Sequence, residues 1–168
     1  MPEKKEMPLF KVRTSPISGR GVFATRKIRK GTRIIEYLGE RISTEEGDAR
    51  YDDDAGEQAH VLLFTVDKQT VIDGGVAGNA ARFINHSCAP NCEAVEEKKR
   101  IFIEAIRSIP VGEELCYDYS LRRVEADETD IEKRYPCHCG AEACRGTLLE
   151  PKKTRRPRQK KTLKKRKA

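Results

Sequence analysis

The chain has 168 residues, of which 36% are charged and 37% hydrophobic, with six cysteines and a formal net charge of +7. This length suits one domain with its own core. No apolar run reaches the ~20 residues of a membrane-spanning helix and the first residues lack a signal-peptide layout, so we expect a soluble intracellular protein, not secreted by a classical signal, whose cysteines are reduced or bind metal.

Short β-branched runs separated by Gly and Pro predict a mainly β fold of small sheets. Residues 1–8 are expected to form a disordered lead-in. One helix is predicted over 44–51, with Ser43 as its cap and Glu45 and Glu46 favourably placed near its N-terminus. A short turn is expected over 79–83. The predicted strands are 9–12, 21–25, 33–38, 61–66, 70–73, 92–96 and 101–106.

Near the start, the run Ser15-Pro16-Ile17-Ser18-Gly19-Arg20-Gly21 contains a Gly-x-Gly bend. Such a bend lets the backbone approach a ligand closely, because no Cβ obstructs it. Taken alone, Gly-x-Gly is equally compatible with an ordinary hairpin turn.

Three cysteines, Cys137, Cys139 and Cys144, lie within eight positions near the C-terminal end. Tetrahedral zinc needs four ligands, so a fourth must come from elsewhere in the chain. The alternatives are a strained disulfide between Cys137 and Cys139, or His138 as a ligand. The remaining thiols, Cys92 and Cys116, are expected to be buried and free.

Two further runs are the most informative: Arg82-Phe83-Ile84-Asn85-His86-Ser87-Cys88-Ala89-Pro90-Asn91 and Glu114-Leu115-Cys116-Tyr117-Asp118-Tyr119. They resemble the signature motifs of SET-domain protein lysine methyltransferases. The cysteines near the C-terminus resemble the zinc-binding post-SET segment of one branch of that family, and the run around Gly19 resembles the family's first motif. The resemblance covers residues 10–149.

The resemblance implies a SET-domain fold, a β-clip of small sheets in which the Asn-His-Ser-Cys and Tyr-Asp-Tyr segments meet in a pseudoknot. It places the SET domain at 9–121 with an insert helix region at 43–58, a connector at 122–135 and a post-SET zinc loop at 136–149. The implied activity is methyl transfer from S-adenosylmethionine to a protein lysine, with S-adenosylhomocysteine as product.

The resemblance also assigns roles to individual residues. Read one at a time, each tyrosine is more simply a core aromatic, and His86 a satisfied interior histidine. The implied catalytic residues are Tyr119, Tyr117 and Tyr37; the cofactor-binding residues are Ile17, Ser18, Gly19, Arg20, Gly21, Leu62, Arg82, Asn85 and His86; and the ligands of one structural Zn²⁺ are Cys88, Cys137, Cys139 and Cys144.

Three features of the chain refine what the resemblance implies about its activity. Leu62 stands where many members carry an aromatic residue that contacts the cofactor, which bears on cofactor affinity or product specificity. Tyr117 stands where the family has Phe or Tyr, and its hydroxyl favours monomethylation or dimethylation. No cysteine-rich segment precedes Phe10, so the chain resembles a minimal catalytic unit, nearest the branch that acts on histone H3 Lys4 and possible also in bacteria or viruses.

Charge is divided unevenly along the chain. Residues 151–168 hold eleven Lys or Arg and no acid, which leaves a formal net charge of −4 for residues 1–150. An acidic body attracts a cationic partner such as a histone or histone-like tail, although an acidic run can also be simply a solvated surface. The acidic clusters are Glu45, Glu46, Asp48, Asp52, Asp53, Asp54 and Glu57, and then Glu125, Asp127, Glu128, Asp130 and Glu132.

The basic tail, 150–168, is expected to be disordered, because it has too few apolar side chains for a core. Three roles compete: a non-specific DNA anchor, a nuclear localisation signal, and a self-substrate. Its lysines and arginines can neutralise phosphates, and no aromatic is interleaved for base stacking. The expected location is the nucleus and chromatin in a eukaryote, or the cytoplasm and nucleoid in a bacterium.

Two other functions remain open at this stage. One is a catalytically impaired SET-fold module that binds chromatin or DNA, which the change at Leu62 favours and the presence of Asn85 and Tyr119 disfavours. The other is a zinc-stabilised interaction domain without a cofactor site. Binding of S-adenosylmethionine separates the last from the others, and methyl transfer to histones separates the first two.

Overall fold

The computed structural model describes residues 8–51, 62–123 and 131–152. Within these ranges the chain forms short strands and few helices, and the prediction of a mainly β fold is confirmed. None of the helices in these ranges is long and apolar enough to cross a membrane. The elements are β1 (Phe10–Thr14), β2 (Arg20–Ala24), β3 (Arg33–Glu36), β4 (Glu40–Ser43), α1 (Thr44–Arg50), β5 (Leu63–Thr65), β6 (Thr70–Asp73), a 3₁₀ turn (Ala80–Phe83), β7 (Asn85–His86), β8 (Cys92–Glu97), β9 (Arg100–Ala105), β10 (Cys116–Tyr117) and α2 (Ile131–Arg134).

The strands form small sheets rather than one large sheet. The hairpin β1-β2 stands beside two three-stranded antiparallel sheets, ordered β3-β9-β8 and β4-β6-β5. Strands β7 and β10 pair in parallel, with Asn85 opposite Cys116 and His86 opposite Tyr117. The two motif segments therefore lie side by side, as the resemblance implied.

Helix α1 begins as predicted. The Ser43 side chain accepts a hydrogen bond from the backbone N–H of Glu46 at 3.1 Å, and Glu45 and Glu46 occupy the first turn, where negative charge favours the helix. The helix ends at Arg50, one residue before the predicted end. Positions 52–58 of the predicted insert region lie outside the described residues.

Several strand boundaries differ from prediction. Strand β1 continues to Thr14, because its ladder with β2 extends to the pair Thr14 and Arg20. Strand β3 ends at Glu36, and Gly39 then passes so close to β6 that an added Cβ would lie 2.2 Å from the Asp73 carbonyl oxygen. The strand predicted at 61–66 is β5, which covers only Leu63–Thr65, and position 61 lies outside the described residues.

One hydrophobic core joins the sheets and fixes the two motif strands. Ile84 and Leu115, which precede β7 and β10, are 1% and 0% exposed. Burial of such side chains contributes roughly 1.5 to 3 kcal/mol each. The other valine and isoleucine side chains of this core with 2% exposure or less are Val22, Ile28, Ile72, Ile101, Ile103 and Ile109.

Candidate active site

A cavity of about 600 Å³ lies between the first hairpin, the β7 region and the segment that follows α2. This volume is within the range of small-molecule sites. It brings together eight of the nine predicted cofactor-binding residues. They are Ile17, Ser18, Gly19, Arg20, Leu62, Arg82, Asn85 and His86, and the other lining residues are Gly75, Phe83, Tyr119, Arg134, Tyr135, Pro136, Cys137, His138 and Leu148.

Gly21 does not line the cavity but lies directly behind its wall. A Cβ at this position would lie 2.2 Å from Oε1 of Glu114 and 2.9 Å from Cβ of Ser15. The glycine is therefore required by close packing of the hairpin against the Glu114 carboxylate.

The turn that carries Ile17 and Ser18 is held by Ser15. The Ser15 hydroxyl accepts hydrogen bonds from the backbone N–H groups of Ile17, at 2.9 Å, and Ser18, at 3.4 Å. The same hydroxyl faces both carboxylate oxygens of Glu114, at 2.8 and 2.9 Å. The shape of the cavity wall thus depends on a contact between positions 99 residues apart.

Asn85 on β7 is tied to the same wall. The two hydrogens on its Nδ2 are shared among three acceptors, which are the carbonyl oxygens of Ser18, at 3.2 Å, and Arg20, at 3.0 Å, and Oε1 of Glu114, at 2.8 Å. These contacts occupy the amide nitrogen, so the carbonyl oxygen is the part of the side chain available to a ligand donor. Glu114 is a site residue to which sequence reasoning gave no role, although it belongs to the Glu114–Tyr119 motif run.

Three arginines, Arg20, Arg82 and Arg134, add positive charge to the lining. The guanidinium carbons of Arg20 and Arg82 lie 4.3 and 4.6 Å from the centroid of the Phe83 ring, within cation–π range. Arg82 also donates to the Gly74 carbonyl oxygen at 3.4 Å. This arrangement fits a ligand that carries a carboxylate.

A group of aromatic rings continues inward from the cavity. Ring centroids are 4.9 Å apart between Tyr119 and Tyr117, 6.2 Å between Tyr117 and Phe64, and 5.3 Å between Phe64 and Tyr37. Of the three predicted catalytic tyrosines, only Tyr119 lines the cavity, and the other two are buried behind it, 6% and 2% exposed.

The three tyrosine hydroxyls are neutral at physiological pH. Burial raises the pKa of Tyr37, Tyr117 and Tyr119, and neighbouring groups raise each further. Tyr119 donates its hydroxyl hydrogen to the Ile84 carbonyl oxygen at 2.7 Å, and Tyr37 donates to the Leu62 carbonyl oxygen at 2.8 Å. Their oxygen lone pairs are therefore what these hydroxyls offer to a third group.

The His86 side chain is 3% exposed and lies beside Tyr119, with ring centroids 5.3 Å apart. Burial lowers its pKa to about 4, although the nearby Asp118 carboxylate acts in the opposite direction. Its Nδ1 accepts the backbone N–H of Tyr119 at 3.0 Å. At neutral pH it is therefore an uncharged imidazole.

Four cysteines meet next to this cavity. The Sγ atoms of Cys88, Cys137, Cys139 and Cys144 all lie within 4.8 Å of one another. From Cys88, the Sγ distances are 3.7 Å to Cys137 and 4.0 Å to Cys144. Zinc–sulfur bonds of about 2.3 Å in a tetrahedron place sulfurs about 3.8 Å apart, so this donor set fits one structural Zn²⁺.

The structure shows neither of the alternatives to a four-cysteine site, which were a disulfide between Cys137 and Cys139 and His138 as a ligand. All six cysteines are free, so Cys137 and Cys139 form no disulfide. His138 lines the cavity, and the four-residue group consists of cysteines alone within the described part of the chain. Cys92 and Cys116 are buried free thiols as predicted, and burial raises the pKa of Cys92 to about 12.

An ion pair that sequence reasoning missed attaches the cysteine-rich segment to the Tyr-Asp-Tyr run. Arg145 donates from Nη1 and Nη2 to the two carboxylate oxygens of Asp118 at 2.7 and 2.8 Å. Burial disfavours ionisation of Asp118, but hydrogen bonds from Arg145 and the Ser120 backbone outweigh it and lower its pKa. The only sequence feature that could have marked Asp118 as a site residue is its position between the two tyrosines of the motif.

A second missed group lies beneath the cavity wall at Gly75. The Asp73 carboxylate, 0% exposed, accepts hydrogen bonds at 2.7 Å from Arg50 and from the Tyr51 hydroxyl, and at 2.8 Å from the Gly75 backbone. Arg50 also pairs with Glu40 at 2.7 Å. This group fixes the end of α1 against β6.

The family model described as SET domain matches residues 19–120. A histone-lysine N-methyltransferase, H3 lysine-4 specific, of Neurospora crassa is 44% identical over 152 residues, covering 86% of this chain and 11% of that protein. Histone-lysine N-methyltransferase trr of Drosophila melanogaster is 44% identical over 135 residues, covering 78% of this chain and 5% of that protein.

Histone-lysine N-methyltransferase 2D of Homo sapiens is 39% identical over 135 residues, covering 78% of this chain and 2% of that protein. The chain thus spans 11% or less of the length of these three relatives. The similarity concerns this region and not the remainder of those proteins.

Proposed function

Because this chain belongs to the SET domain family, we propose that it transfers a methyl group from S-adenosylmethionine to the side-chain amine of a lysine in a protein. The observation that carries the proposal is Tyr119, which both lines the cavity and contacts the buried aromatic group behind it. A ligand in the cavity and an amine beside the aromatic group would meet at this residue.

The proposed donor site is the cavity. When bound, S-adenosylmethionine supplies a methyl carbon activated by a sulfonium. The backbone of Ile17, Ser18, Gly19 and Arg20 would contact its methionine part, close to Gly21, while the oxygen of Asn85 accepts from its amino group. Leu62, Arg82 and the backbone of His86 complete the proposed cofactor-binding set. Their common position around the cavity supports this assignment.

The proposed acceptor site is the aromatic group. A lysine amine has an ordinary pKa near 10.4 and must lose a proton before it attacks carbon. Neutral rings and hydroxyls around Tyr119, Tyr117 and Tyr37 disfavour the ammonium form, and so does a neighbouring sulfonium. The hydroxyl oxygens can orient the amine, and such alignment can remove ~7 to 11 kcal/mol from a bimolecular barrier.

We propose that the reaction stops at one or two methyl groups. Tyr117 is 6% exposed and its ring centroid lies 4.9 Å from that of Tyr119, so its hydroxyl occupies space within the buried aromatic group. Mass spectrometry of a methylated peptide at high enzyme concentration counts the methyl groups added. Replacing Tyr117 with Phe should then allow one methyl group more than the native enzyme adds.

The proposed substrate is a histone or a histone-like basic tail. Support comes from the three relatives, which are named histone-lysine N-methyltransferases, and from the acidic body, with Glu45, Glu46 and Asp48 in α1. Opposite charge raises encounter rates in a salt-dependent way. A histone substrate places the proposed activity on chromatin.

We further propose that Cys88, Cys137, Cys139 and Cys144 bind one structural Zn²⁺. Binding would attach the 136–149 segment to the SET core, and that segment supplies Pro136, Cys137, His138 and Leu148 to the cavity. Metal binding and cavity closure would therefore be linked. Metal content of the purified protein, before and after chelation, tests this directly.

The tail at 151–168 is proposed to bind DNA without sequence specificity. Its eleven basic residues can neutralise phosphates. Deleting 151–168 should abolish salt-sensitive DNA binding and leave turnover on a short peptide nearly unchanged. Unchanged DNA affinity after deletion would refute this role.

Radiolabelled methyl transfer onto mixed histones tests the main proposal, with Tyr119→Phe as the inactive control. Transfer to histone lysine in the native protein alone supports it. Calorimetric binding of S-adenosylmethionine without transfer would instead favour the impaired chromatin-binding module, which the change at Leu62 supports. Absence of both would leave a zinc-stabilised interaction domain.

A further inference from the structure

The side chain of His86 lies between the cysteine cluster and the segment that carries Tyr119. Its Nδ1 accepts the Tyr119 backbone N–H at 3.0 Å, and its Nε2 lies 3.3 Å from Sγ of Cys88. Both ring nitrogens therefore have partners, one in the cysteine cluster and one in the segment that carries Tyr119.

The hydrogen-bond partners assign the tautomer of this imidazole. A backbone N–H can only donate, so Nδ1 must carry the lone pair, and a neutral imidazole then carries its hydrogen on Nε2. That hydrogen faces the sulfur of Cys88. The carboxylate of Asp118 lies 3.6 Å from Nδ1 and is an acceptor, so it forms no competing hydrogen bond there.

Cys88 receives more than one N–H group. Besides His86, the backbone N–H of Arg145 points to its Sγ at 3.4 Å. Other N–H groups at the cluster also come from the backbone: Cys88 N lies 3.5 Å from Sγ of Cys139, and Gly146 N lies 3.3 Å from Sγ of Cys144. A metal-bound thiolate is a charged acceptor, and hydrogen bonds to charged groups are stronger than neutral ones.

We propose that the His86 side chain is a positioning residue that links the metal site to Tyr119, donating from Nε2 to the Cys88 thiolate while accepting the Tyr119 N–H at Nδ1. This inference rests on the proposed zinc site, and adds a side-chain role to the backbone role proposed for His86 in cofactor binding. The Tyr119 hydroxyl is fixed separately, by the Ile84 carbonyl oxygen at 2.7 Å.

The link would couple metal binding to the position of the Tyr119 backbone. His86 and Cys88 are two residues apart, and the Tyr119 backbone is bonded to the same ring that contacts the thiolate. A change at the cluster therefore reaches Tyr119 through one rigid, planar group. The pairing of Arg145, which follows Cys144, with Asp118 is a second connection between the cysteine cluster and the Tyr-Asp-Tyr run.

The first test uses the native protein with ¹¹³Cd²⁺ in place of zinc and ¹⁵N-labelled histidine. Long-range nitrogen–proton spectra should show His86 as the Nε2–H tautomer, with a scalar coupling between that hydrogen and the bound ¹¹³Cd. Cadmium bound by four thiolates without this coupling, or an Nδ1–H tautomer, would overturn the inference alone. Failure to bind stoichiometric metal would overturn the zinc proposal.

The second test separates the two hydrogen bonds with a matched pair of variants. In His86→Asn, the side-chain oxygen can replace Nδ1 as acceptor for Tyr119 but nothing reaches Cys88. In His86→Gln, the terminal nitrogen can reach Cys88 and the Nδ1 acceptor is lost. A hydrogen bond to a charged group corresponds to on the order of 10-fold or more in an equilibrium.

The metal affinity, measured by equilibrium competition with a chromophoric chelator, should therefore be on the order of 10-fold weaker in His86→Asn than in the native protein, and near native in His86→Gln. Hydrogen exchange at the Tyr119 amide should show the opposite order, with protection kept in His86→Asn and reduced in His86→Gln. Equal metal affinity in both variants would contradict the link. The cadmium spectrum of the native protein decides the inference even where a variant does not fold.

Discussion

The ion pair between Arg145 and Asp118 allows a quantitative test of how the 136–149 segment is held against the SET core. Its two hydrogen bonds, 2.7 and 2.8 Å long, join the ends of one guanidinium to both oxygens of one carboxylate. The side chains are 21% and 29% exposed, and the residues are 27 positions apart. Disrupting the pair should therefore loosen one wall of the cavity.

The magnitude follows from this geometry. Exposed ion pairs contribute about 0 to 1 kcal/mol, whereas hydrogen bonds to charged groups contribute about 1.5 to 3 kcal/mol. A bidentate, largely shielded pair should thus show a coupling energy of about 2 kcal/mol. If docking of the segment is required for the cavity, this corresponds to about 30-fold weaker cofactor binding.

The assay is a double-mutant cycle with Arg145→Met, Asp118→Asn and the double variant. Calorimetric titration with S-adenosylhomocysteine gives the affinity, and urea unfolding of the zinc-loaded protein gives the free energy of unfolding. Arg145→Met keeps the aliphatic stem, so the cycle isolates the charge contact. Asp118 keeps its hydrogen bond from the Ser120 N–H, at 2.9 Å, in the Arg145 single variant.

The matched control is the pair of Arg100 with Glu36, which is also bidentate but joins β9 to β3. Replacing Arg100 with Met should change the free energy of unfolding slightly and leave cofactor affinity unchanged. A coupling energy below about 0.5 kcal/mol for the Arg145 and Asp118 cycle would refute the assigned magnitude. Equal loss of affinity in the control would refute the role in cavity closure.

Three further outcomes are expected. Tyr119→Phe should reduce kcat by about 100-fold or more in the methyl-transfer assay, with little change in cofactor affinity, because the hydroxyl is proposed to act on the amine. Equal kcat values for the native protein and the variant would exclude that role. Glu114→Ala should weaken S-adenosylhomocysteine binding by about 5- to 30-fold, because Asn85 loses a charge-assisted hydrogen bond. Calorimetry measures this change, with Glu97→Ala as the control variant. Asp73→Asn should lower the free energy of unfolding by about 2 to 3 kcal/mol at pH 7, because the buried contact with Arg50 loses its charge.

The pH dependence of that last contribution has a defined sign. Burial opposes ionisation of Asp73, but hydrogen bonds from Tyr51 and Arg50 outweigh it and lower its pKa from the ordinary 3.8. The stabilisation is therefore complete above this value and is lost as the pH falls through the lower pKa of the folded state. Urea unfolding between pH 2.5 and about 6 should show a steeper decline for the native protein than for Asp73→Asn.

Contiguous runs of residues were sufficient to predict the family and much of the local structure. The Asn-His-Ser-Cys and Tyr-Asp-Tyr runs carry the family signal, and the matched region, 19–120, contains both. The cap at Ser43 follows from hydrogen bonding within four residues, so the start of α1 could be predicted from the local sequence alone. The mainly β character followed from short β-branched runs in the same way.

The arrangement of the site needed the tertiary structure. Ser15 meets Glu114 across 99 positions, and Arg145 meets Asp118 across 27, at separations where no periodicity relates the partners. Strands β7 and β10 are two residues long, too short for an alternating pattern. Sequence reasoning also named three tyrosines as catalytic, and of these three, packing leaves only Tyr119 at the cavity.

The amino-acid sequence by itself determined the family, the strand-rich class and the residue types available for chemistry, because these depend on neighbours along the chain. Only the fold decided which nitrogen of His86 faces a sulfur, which carboxylate supports Asn85 and which cysteines meet. Those properties depend on distances between segments far apart in the chain. Burial and hydrogen-bond partners, which set charge state and orientation, exist only once these segments are packed together.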